Sequence, residues 1–117
     1  MKYDGFINDL FSSIDERNVQ TFLTFISDNC LFQFGNIPSV SGKENVGNFV
    51  SVFFDSINSL KHEIEDAWEI DCGIICHGIV TYTRHDKSVL SIPFSNILKI
   101  DNGLICEYLI FADTSEL

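Results

Sequence analysis

The chain has 117 residues, a formal charge of −10 at neutral pH, and 45% hydrophobic residues, with 11 phenylalanines. That length allows one modest core, so we expect a single domain over residues 1–117, and the hydrophobic share excludes a disordered chain. The negative charge argues against nucleic acid and anionic membranes as partners, because both attract clusters of lysine and arginine.

No segment approaches the roughly 20 apolar residues that span a bilayer, and the first residues lack the basic and then apolar pattern of a secretion signal. We therefore expect a cytoplasmic protein with no membrane contact. The four cysteines are Cys30, Cys72, Cys76 and Cys106. Cys72 and Cys76, on one predicted strand, would lie roughly 13 Å apart, too far for a disulfide or a shared metal. We expect buried free thiols.

The first half of the chain has helical periodicity, with apolar residues at three- and four-residue spacing. A first helix is predicted from Phe6, Ile7, Leu10, Phe11 and Ile14, and a second, after a break at 15–18, from Phe22, Leu23, Phe25 and Ile26. A short strand is predicted at 30–34, and a turn at 35–38.

A third helix has a clear predicted start. Ser41 and Glu44 have the spacing of a capping box, in which each side chain bonds to a free backbone N–H of the first turn. A wide apolar stripe follows: Val46, Phe49, Val50, Phe53, Phe54, Ile57 and Leu60. A stripe of that width needs a sheet to lie on.

The second half of the chain alternates between apolar and polar residues, which predicts strands at about 61–70, 74–85, 88–100 and 104–113. The residues at 86–87 and 101–103 are predicted to form tight hairpin turns. Helices followed by antiparallel strands predict an α+β domain in which the helices cover one face of a curved sheet.

Five sequence blocks share the pattern of one family. They are FQFGNIP at 32–38 with GKE at 42–44 and FF at 53–54, HEI at 62–64 with Trp68, TYTR at 81–84, IPFSN at 92–96, and DNGLI at 101–105 with EY at 107–108. In this order they resemble the SnoaL-like branch of the nuclear transport factor 2-like superfamily, and the similarity covers nearly the whole chain.

The resemblance implies three N-terminal helices packed on a strongly curved antiparallel sheet, which together form a cone with an internal pocket. Members of the superfamily include polyketide cyclases, steroid isomerases, dehydratases and epoxide hydrolases, and most are homodimers. We therefore expect a protein that binds a small apolar molecule in its cone, with no cofactor. If the protein is an enzyme, it would be an isomerase, cyclase or dehydratase that uses general acid–base chemistry.

Strand alternation and the resemblance together assign the side chains that face the cone. The candidate catalytic residues are His62, which can carry a proton near neutral pH, Asp66, a carboxyl that burial would make more basic, and Tyr82, a donor to an enolate oxygen. The predicted ligand-binding residues are Trp68, Val80, Arg84, Ser95, Ile97, Leu109, Phe111 and Asp113. No metal site is predicted, because the three histidines fall on different faces or strands.

The known catalytic residues of the superfamily are absent at the matching positions. The aspartate base of the steroid isomerases falls at or next to Phe34, their tyrosine at about Leu10, and their protonated aspartate at about Ser95. The acid of the SnoaL-type cyclases matches Ile110, and Asp113 would replace it only after a register shift. The resemblance therefore predicts the fold and leaves the reaction open.

Two alternatives to an enzyme stay open at this point. The chain could be a non-catalytic module that holds an apolar ligand, or an interaction domain whose cone is filled by the 11 phenylalanines. A structural role is open for His62 through a hydrogen bond, and for Asp66 through a pair with Arg84 or Lys61. Each alternative predicts a different state of the cone.

The outer face of the sheet is predicted to be unusually apolar. Its expected members are Ile75, His77, Ile79, Thr81, Phe94, Asn96, Leu98, Tyr108 and Ile110. Exposed apolar patches of this kind usually mark association. We therefore predict a two-fold homodimer that forms through the outer sheet faces.

Overall fold

Three helices and six strands form along residues 3–117, the part of the chain that the computed structural model describes. They are α1 (Asp4–Asp15), α2 (Val19–Leu23), β1 (Ile26–Phe34), β2 (Val40–Ser41), α3 (Lys43–Asp55), β3 (Ser59–Ile70), β4 (Gly73–Thr83), β5 (Val89–Asp101) and β6 (Leu104–Ala112). The second predicted helix was too long, because the chain already enters β1 at Ile26.

The six strands form one sheet in the order β2-β1-β6-β5-β4-β3. Neighbouring strands are antiparallel except β1 and β6, which run parallel. This pair departs from the predicted antiparallel sheet because β1 and β6 are joined through most of the chain, so no tight turn sets their direction. The predicted α+β fold class with three helices is confirmed.

The long helices bury one face each. In α1 the buried side chains are Ile7, Leu10, Phe11 and Ile14, and in α3 they include Val46, Val50 and Phe54. Both sets follow the helical spacing read from the sequence. Burial of such side chains stabilises a fold by about 1.5–3 kcal/mol each, so the helices are held mainly by their contact with the sheet.

The start of α3 differs from the prediction. The residue at the N-cap is Gly42, with a φ of 91°, and no side chain caps the helix. Ser41 instead belongs to β2, where it pairs with Leu31. The predicted capping box of Ser41 and Glu44 is therefore wrong, because strand pairing fixes the backbone that the box would need.

The two predicted hairpins form. Asn102 and Gly103 both have positive φ values, 53° and 80°, which is typical of a two-residue turn that matches strand twist. The β4–β5 turn is wider than predicted and is closed by a 2.8 Å bond from the Arg84 N–H to the Ser88 carbonyl.

A β-bulge in β3 changes which side chains face the helices. Ile64 pairs with Gly78 and Asp66 pairs with His77, which leaves Glu65 as an extra residue. Because side chains in a strand alternate, one extra residue moves every later side chain to the opposite face.

Gly78 makes room for this bulge. A Cβ atom at this position would lie 1.9 Å from the carbonyl oxygen of Glu63 and 3.0 Å from the backbone nitrogen of Glu65. Both distances are too short for non-bonded atoms. Any other residue at this position would push the two strands apart.

A second bulge lies in β6. The pairing with β5 shifts between Lys99 and Ile100, which leaves Cys106 as the extra residue. Ile105 and Tyr108 are therefore both buried, although they are three residues apart. The rest of β6 has the opposite alternation to that of its first residues.

The outer face of the sheet carries one apolar side chain from each of four neighbouring strands. Trp68, Ile75, Ile97 and Leu109 lie in register across β3, β4, β5 and β6, and we call them the apolar row. Trp68 is 49% exposed and stacks on His77 with ring centroids 5.5 Å apart.

The predicted membership of this face was right for β4 and wrong for β5 and β6. The misplaced residues are Phe94, Asn96, Leu98, Tyr108 and Ile110, which face the helices. Three of them, Phe94, Leu98 and Tyr108, belong to the hydrophobic core. On β5 and β6, the residues adjacent in sequence to these five lie on the outer face of the sheet.

Cys30 and Cys76 are buried free thiols, as predicted, whereas Cys72 is exposed in the β3–β4 turn and Cys106 is half-buried. No disulfide joins them. Within residues 3–117, no helix is both long and apolar enough to cross a bilayer. The cytoplasmic location and the lack of a nucleic-acid partner stay predictions from composition.

Candidate active site

A cavity of about 50 Å³ lies between the helices and the inner face of the sheet. Its wall is apolar apart from His62, Tyr82, Asn96 and Tyr108. Much of the remaining wall is phenylalanine: Phe22, Phe32, Phe34, Phe49, Phe53, Phe54 and Phe94. The predicted internal pocket is present, but aromatic rings occupy most of the space.

The cavity is small beside ordinary ligand sites, which enclose about 300–1,000 Å³. An apolar cavity of about 150 Å³ holds benzene. The 50 Å³ enclosed by this chain therefore suits a ligand of a few heavy atoms unless the wall moves.

The half-buried members of the wall mark where the cavity meets the surface. Phe49 and Phe53 on α3, and Ile110 and Ala112 at the end of β6, are partly exposed, whereas most of the wall is buried. The mouth therefore lies between α3 and the last residues of β6. The Phe53 ring also contacts Tyr82, with centroids 5.9 Å apart.

His62 is held by a carboxylate at the end of α1. The Nδ1 atom of His62 lies 2.7 Å from Asp15 Oδ1, and the His62 backbone N–H donates to both carboxylate oxygens at 3.0 and 3.2 Å. A carboxylate only accepts, so Nδ1 carries a proton, and in the neutral imidazole the lone pair lies on Nε2. The imidazole is thereby set up as a base.

Aromatic rings fix the plane of this imidazole. The rings of Phe11 and Phe94 lie 4.9 and 5.1 Å from it, centroid to centroid. The side chain of His62 is only 10% exposed and that of Asp15 19%. The pair is therefore held in one geometry and largely shielded from water.

Two tyrosines add hydroxyl groups to the wall. Burial raises the pKa of Tyr82 from its ordinary value of 10.0 to about 12. Burial also raises the pKa of Tyr108 well above 10.0, with nearby Cys76, Cys30 and Asp15 adding to the effect. Both hydroxyls stay protonated at neutral pH, and neither bonds to another residue of the described chain. They are free to donate to a ligand oxygen.

Asn96 is the fourth polar residue of the wall. It is 2% exposed and lies in the middle of β5, between Phe94 and Leu98 on the inner face. Within residues 3–117 its Oδ1 has no hydrogen-bond partner. Buried polar atoms without partners are rare in folded proteins, so this one calls for a physical explanation.

Three of the residues predicted to face the cone line the cavity. They are His62, Tyr82 and Val80. The β4 strand therefore follows the alternation read from the sequence. The catalytic roles of His62 and Tyr82 are taken up as proposals below.

The placement of Asp66 and Trp68 in the cone is wrong. Both are exposed, because the bulge at Glu65 turns the end of β3 over. Asp66 accepts a bond at 2.9 Å from the N–H of its neighbour Ala67, and no ion pair with Arg84 or Lys61 forms in the described chain.

The inward placement also fails on β5 and β6, at Ser95, Ile97, Leu109, Phe111 and Asp113. None of these residues lines the cavity. On both strands the alternation read from the sequence is right, but the resemblance to steroid isomerases assigned the wrong alternate set to the cone. The inner sets are Ile92, Phe94, Asn96 and Leu98 on β5 and Tyr108, Ile110 and Ala112 on β6. Phe111 is 54% exposed, for example.

Arg84 lies outside the cavity as well. It follows the last residue of β4, and its guanidinium donates to Ser88 Oγ at 3.1 Å and to the Glu116 carbonyl at 2.7 Å. Its role is to tie the β4–β5 turn to the C-terminal segment.

Three of the four positions matched to superfamily catalysts are apolar wall or core. Phe34 and Ile110 line the cavity, and Leu10 is completely buried. Ser95 faces away and donates to the Cys76 carbonyl at 3.1 Å. The chain therefore carries a different polar set from the one those positions would supply.

Sequence reasoning missed Asp15, Asn96 and Tyr108. Asp15 was read only as part of a helix end, and Asn96 and Tyr108 were assigned to the outer face. One signal was present for Asn96, since Ile92, Phe94 and Leu98 form the more apolar alternate set of β5. Within the described residues, no group of three or more histidine, cysteine or acidic side chains is placed to hold a metal ion.

The helices and sheet form the cone of nuclear transport factor 2-like and ketosteroid isomerase-like proteins. The chain belongs to the SnoaL-like domain family, whose sequence profile matches residues 7–108. The resemblance read from the sequence blocks is therefore confirmed. No curated protein matches the chain in sequence.

Solved structures agree in fold at low sequence identity. A suggested polyketide cyclase from Xanthomonas campestris pv. campestris has a TM-score of 0.82 and 13% identity, over 96% of this chain and 90% of that one. A nuclear transport factor 2-like protein of unknown function from Burkholderia pseudomallei has a TM-score of 0.85 and 14% identity, over 94% and 89%.

A third similar structure contains a small ligand. It is a hypothetical protein with a ketosteroid isomerase-like fold from Catenulispora acidiphila, in complex with trimethylamine. Its TM-score is 0.85 at 10% identity, over 93% of this chain and 85% of that one. Such identities establish the shared fold and leave the chemistry to the site itself.

Proposed function

We propose that this protein binds a small, mostly apolar carbonyl compound in its cavity and removes a proton from it with His62. The reaction class is a cofactor-free isomerisation, cyclisation or dehydration. The observation that carries the proposal is the 2.7 Å contact between His62 Nδ1 and Asp15 Oδ1 in the wall of a largely apolar cavity. Membership of the SnoaL-like family, which has polyketide cyclase-like members, supports the class.

Each polar group has a distinct part in this chemistry. Asp15 holds the Nδ1–H of His62, so Nε2 takes the proton from a carbon next to the carbonyl. The imidazolium that forms is stabilised by the adjacent carboxylate. The hydroxyl of Tyr108, which interacts electrostatically with Asp15, donates to the oxygen on which negative charge develops. The hydroxyl of Tyr82 offers a second donor at another part of the wall.

The size of the cavity restricts the ligand. The wall gives way most easily at Phe49 and Phe53, because these rings are only half-buried and lie at the mouth. We propose that the ligand is small and that these two rings move apart to admit it. The buried rings opposite the mouth stay in place.

The test is exchange of the α-protons of acetone and cyclopentanone in D₂O, followed by proton NMR. The wild-type protein should exceed the buffer rate, and His62→Gln should remove the excess. Asp15→Asn should lower the exchange rate by about a hundredfold or more, because no carboxylate then fixes the Nδ1–H tautomer of His62 or stabilises its imidazolium. The matched control is His85→Gln, at an exposed histidine in the β4–β5 turn.

The outcome that contradicts the proposal is equal exchange by the wild type and His62→Gln, with both folded. A thermal melt of each variant checks the fold. Exchange that falls in His85→Gln as much as in His62→Gln would equally remove the base role.

A non-catalytic function is the second candidate, favoured by the small volume of the cavity. With about 50 Å³ free and seven phenylalanines in the wall, the domain would serve as a ligand-holding or interaction module. This candidate predicts thermal stabilisation by a ligand with no proton exchange. The exchange experiment separates it from the first.

We further propose that two copies associate through the outer sheet face. The apolar row presents Trp68, Ile75, Ile97 and Leu109 side by side, with exposed Phe111 on the same face. A monomer would leave this surface in water, and a second copy offers the same uncharged row.

The mass in solution tests this association. Light scattering at micromolar concentration should give twice the 13.3 kDa of one chain. Ile97→Lys should halve the measured mass, because it places a charge in the middle of the row. A wild-type species of 13.3 kDa would reject the dimer.

A further inference from the structure

The inner face of β5 carries a polar residue where the packing favours an apolar one. Asn96 lies between Phe94 and Leu98 on that face and is 2% exposed. Its neighbours across the sheet are Cys76 on β4 and Ile110 on β6. An aliphatic side chain of similar size would fit these surroundings without loss of a hydrogen bond.

The amide oxygen of Asn96 is left without a partner in the described chain. Asn96 Oδ1 accepts no hydrogen bond, and the residue lines the cavity. An unpaired buried acceptor destabilises a fold, because its bonds to water are lost on burial. A residue that weakens the fold in this way is explained most simply by a group that joins it on binding.

The polarity of that group follows from the rest of the wall. The hydroxyls of Tyr82 and Tyr108 stay protonated and serve as donors for a ligand oxygen. His62 Nε2 is an acceptor, but the proposed reaction uses it as the base. Asn96 Oδ1 is the remaining acceptor of the wall, so it is complementary to a donor.

Asn96 and His62 line the same cavity. The ring of Phe94 lies 5.1 Å from the His62 ring, and Asn96 follows Phe94 by two residues on the same face. Phe94 also lines the cavity, between these two residues. A ligand in the cavity therefore lies against the same wall as the base and the amide.

We propose that Asn96 selects ligands that carry a hydroxyl or N–H group, with Asn96 Oδ1 accepting the bond. The ligand class is then a small apolar carbonyl compound with one hydrogen-bond donor away from the carbon that His62 deprotonates. This inference rests on the proposed binding of a small molecule in the cavity and names its class more narrowly.

The test compares pyrrole with furan, two five-membered rings of nearly equal size. Pyrrole has an N–H donor and furan has none. Binding is measured by NMR titration of the protein, with the backbone N–H groups of Val80 and Phe94, which line the cavity and are kept in every variant, as the reporters. Pyrrole should bind the wild type about tenfold more tightly or better, since one satisfied buried acceptor accounts for such a factor.

The variant Asn96→Leu should bind pyrrole and furan equally and should melt no lower than the wild type. Both changes follow from removal of the unpaired acceptor. The control Ser95→Ala, on the outer side of the same strand, should keep the wild-type preference for pyrrole.

The possible outcomes are distinct. Equal binding of pyrrole and furan by the wild type overturns the role of Asn96 and leaves the proposed function standing. Binding of neither overturns the role of Asn96, and the proton-exchange experiment then decides the proposed function separately. An Asn96→Leu protein that melts several degrees lower, or fails to fold, makes Asn96 a structural residue, even if the wild type prefers pyrrole.

Discussion

The two faces of the sheet differ in what they leave unpaired. The inner face is apolar, yet it holds four polar side chains around the cavity: His62, Tyr82, Asn96 and Tyr108. The outer face presents the apolar row, including Trp68, which is 49% exposed. In a sheet with one buried face, the buried side chains are usually apolar and the exposed side chains are usually polar. Each face departs from this pattern at the place where we propose a partner. On the inner face the proposed partner is a ligand, and on the outer face it is a second copy of the chain.

The sharpest test of this comparison is the same substitution on both faces. Phe94→Ala should lower the free energy of unfolding by about 3–5 kcal/mol, because Phe94 is buried and its loss leaves a cavity. Phe111→Ala, at a 54% exposed ring, should cost below about 1 kcal/mol. Urea unfolding with an unchanged slope measures both, and equal losses would show that the faces are misassigned.

The bulge that separates the faces on β3 is tested at Gly78. Gly78→Ala should cost about 3 kcal/mol, because its Cβ would lie 1.9 Å from the Glu63 carbonyl oxygen. The control Gly5→Ala, in α1 with no atom within 4 Å, should stabilise the protein by about 0.5–1 kcal/mol. Thermal and urea unfolding give both values. A Gly78→Ala protein as stable as the wild type would contradict the described bulge.

Alkaline pH tests the burial of the inner face. Burial raises the pKa of Cys76 from 9.0 to about 11, so the folded state holds this proton more tightly than the unfolded chain does. The stability it contributes is complete below pH 9 and is lost as the pH rises to about 11, a change of roughly 2 kcal/mol.

Replacement of this thiol gives the matched comparison. Urea midpoints between pH 8 and 11 should fall less steeply for Cys76→Ala than for the wild type. The variant Cys72→Ala, at an exposed cysteine, should follow the wild-type curve. Parallel curves for all three proteins would show that Cys76 is not the group that titrates.

The smallest effect is expected from a hydroxyl on the inner face. Tyr108→Phe should change the free energy of unfolding by below about 1 kcal/mol, because this hydroxyl has no partner in the described chain. It should nevertheless slow proton exchange by His62, since one donor to the enolate oxygen is lost. A loss above about 2 kcal/mol would reveal a structural hydrogen bond instead.

The elements were predictable because their signals are local. The spacing of Leu10, Phe11 and Ile14 predicts a buried helix face, and all three residues are buried. The strands that form the sheet likewise follow the period-two pattern. Hydrophobic periodicity reports the burial of one element, whatever the rest of the chain does.

The faces of β5 and β6 show one kind of failure, and the end of β3 shows another. On β5 the pattern itself was informative, since Phe94 and Leu98 belong to the apolar alternate set, but comparison with steroid isomerases placed Ser95 inside, and the same comparison placed Phe111 inside on β6. On β3 nothing in the pattern marks Glu65 as an extra residue. A bulge depends on pairing with another strand, so a single strand's sequence does not reveal it.

Of the two residues that form the candidate base, one was predictable from the sequence and the other was not. His62 was assigned to the cone from alternation alone. Its partner Asp15 is 47 residues away in sequence, and the contact exists only because the end of α1 meets β3. Non-local pairs of this kind are set by packing.

The extra residues at Glu65 and Cys106 each reverse the alternation of the side chains that follow them in the strand. Each is a single residue, yet each decides which half of the side chains that follow it faces the helices. Tyr108, Ile110 and Ala112 follow Cys106 and line the cavity, so removal of one residue at Cys106 would exchange them for their outward neighbours. Within one unchanged architecture, the set of side chains presented to a ligand is thereby altered in one step rather than by many substitutions.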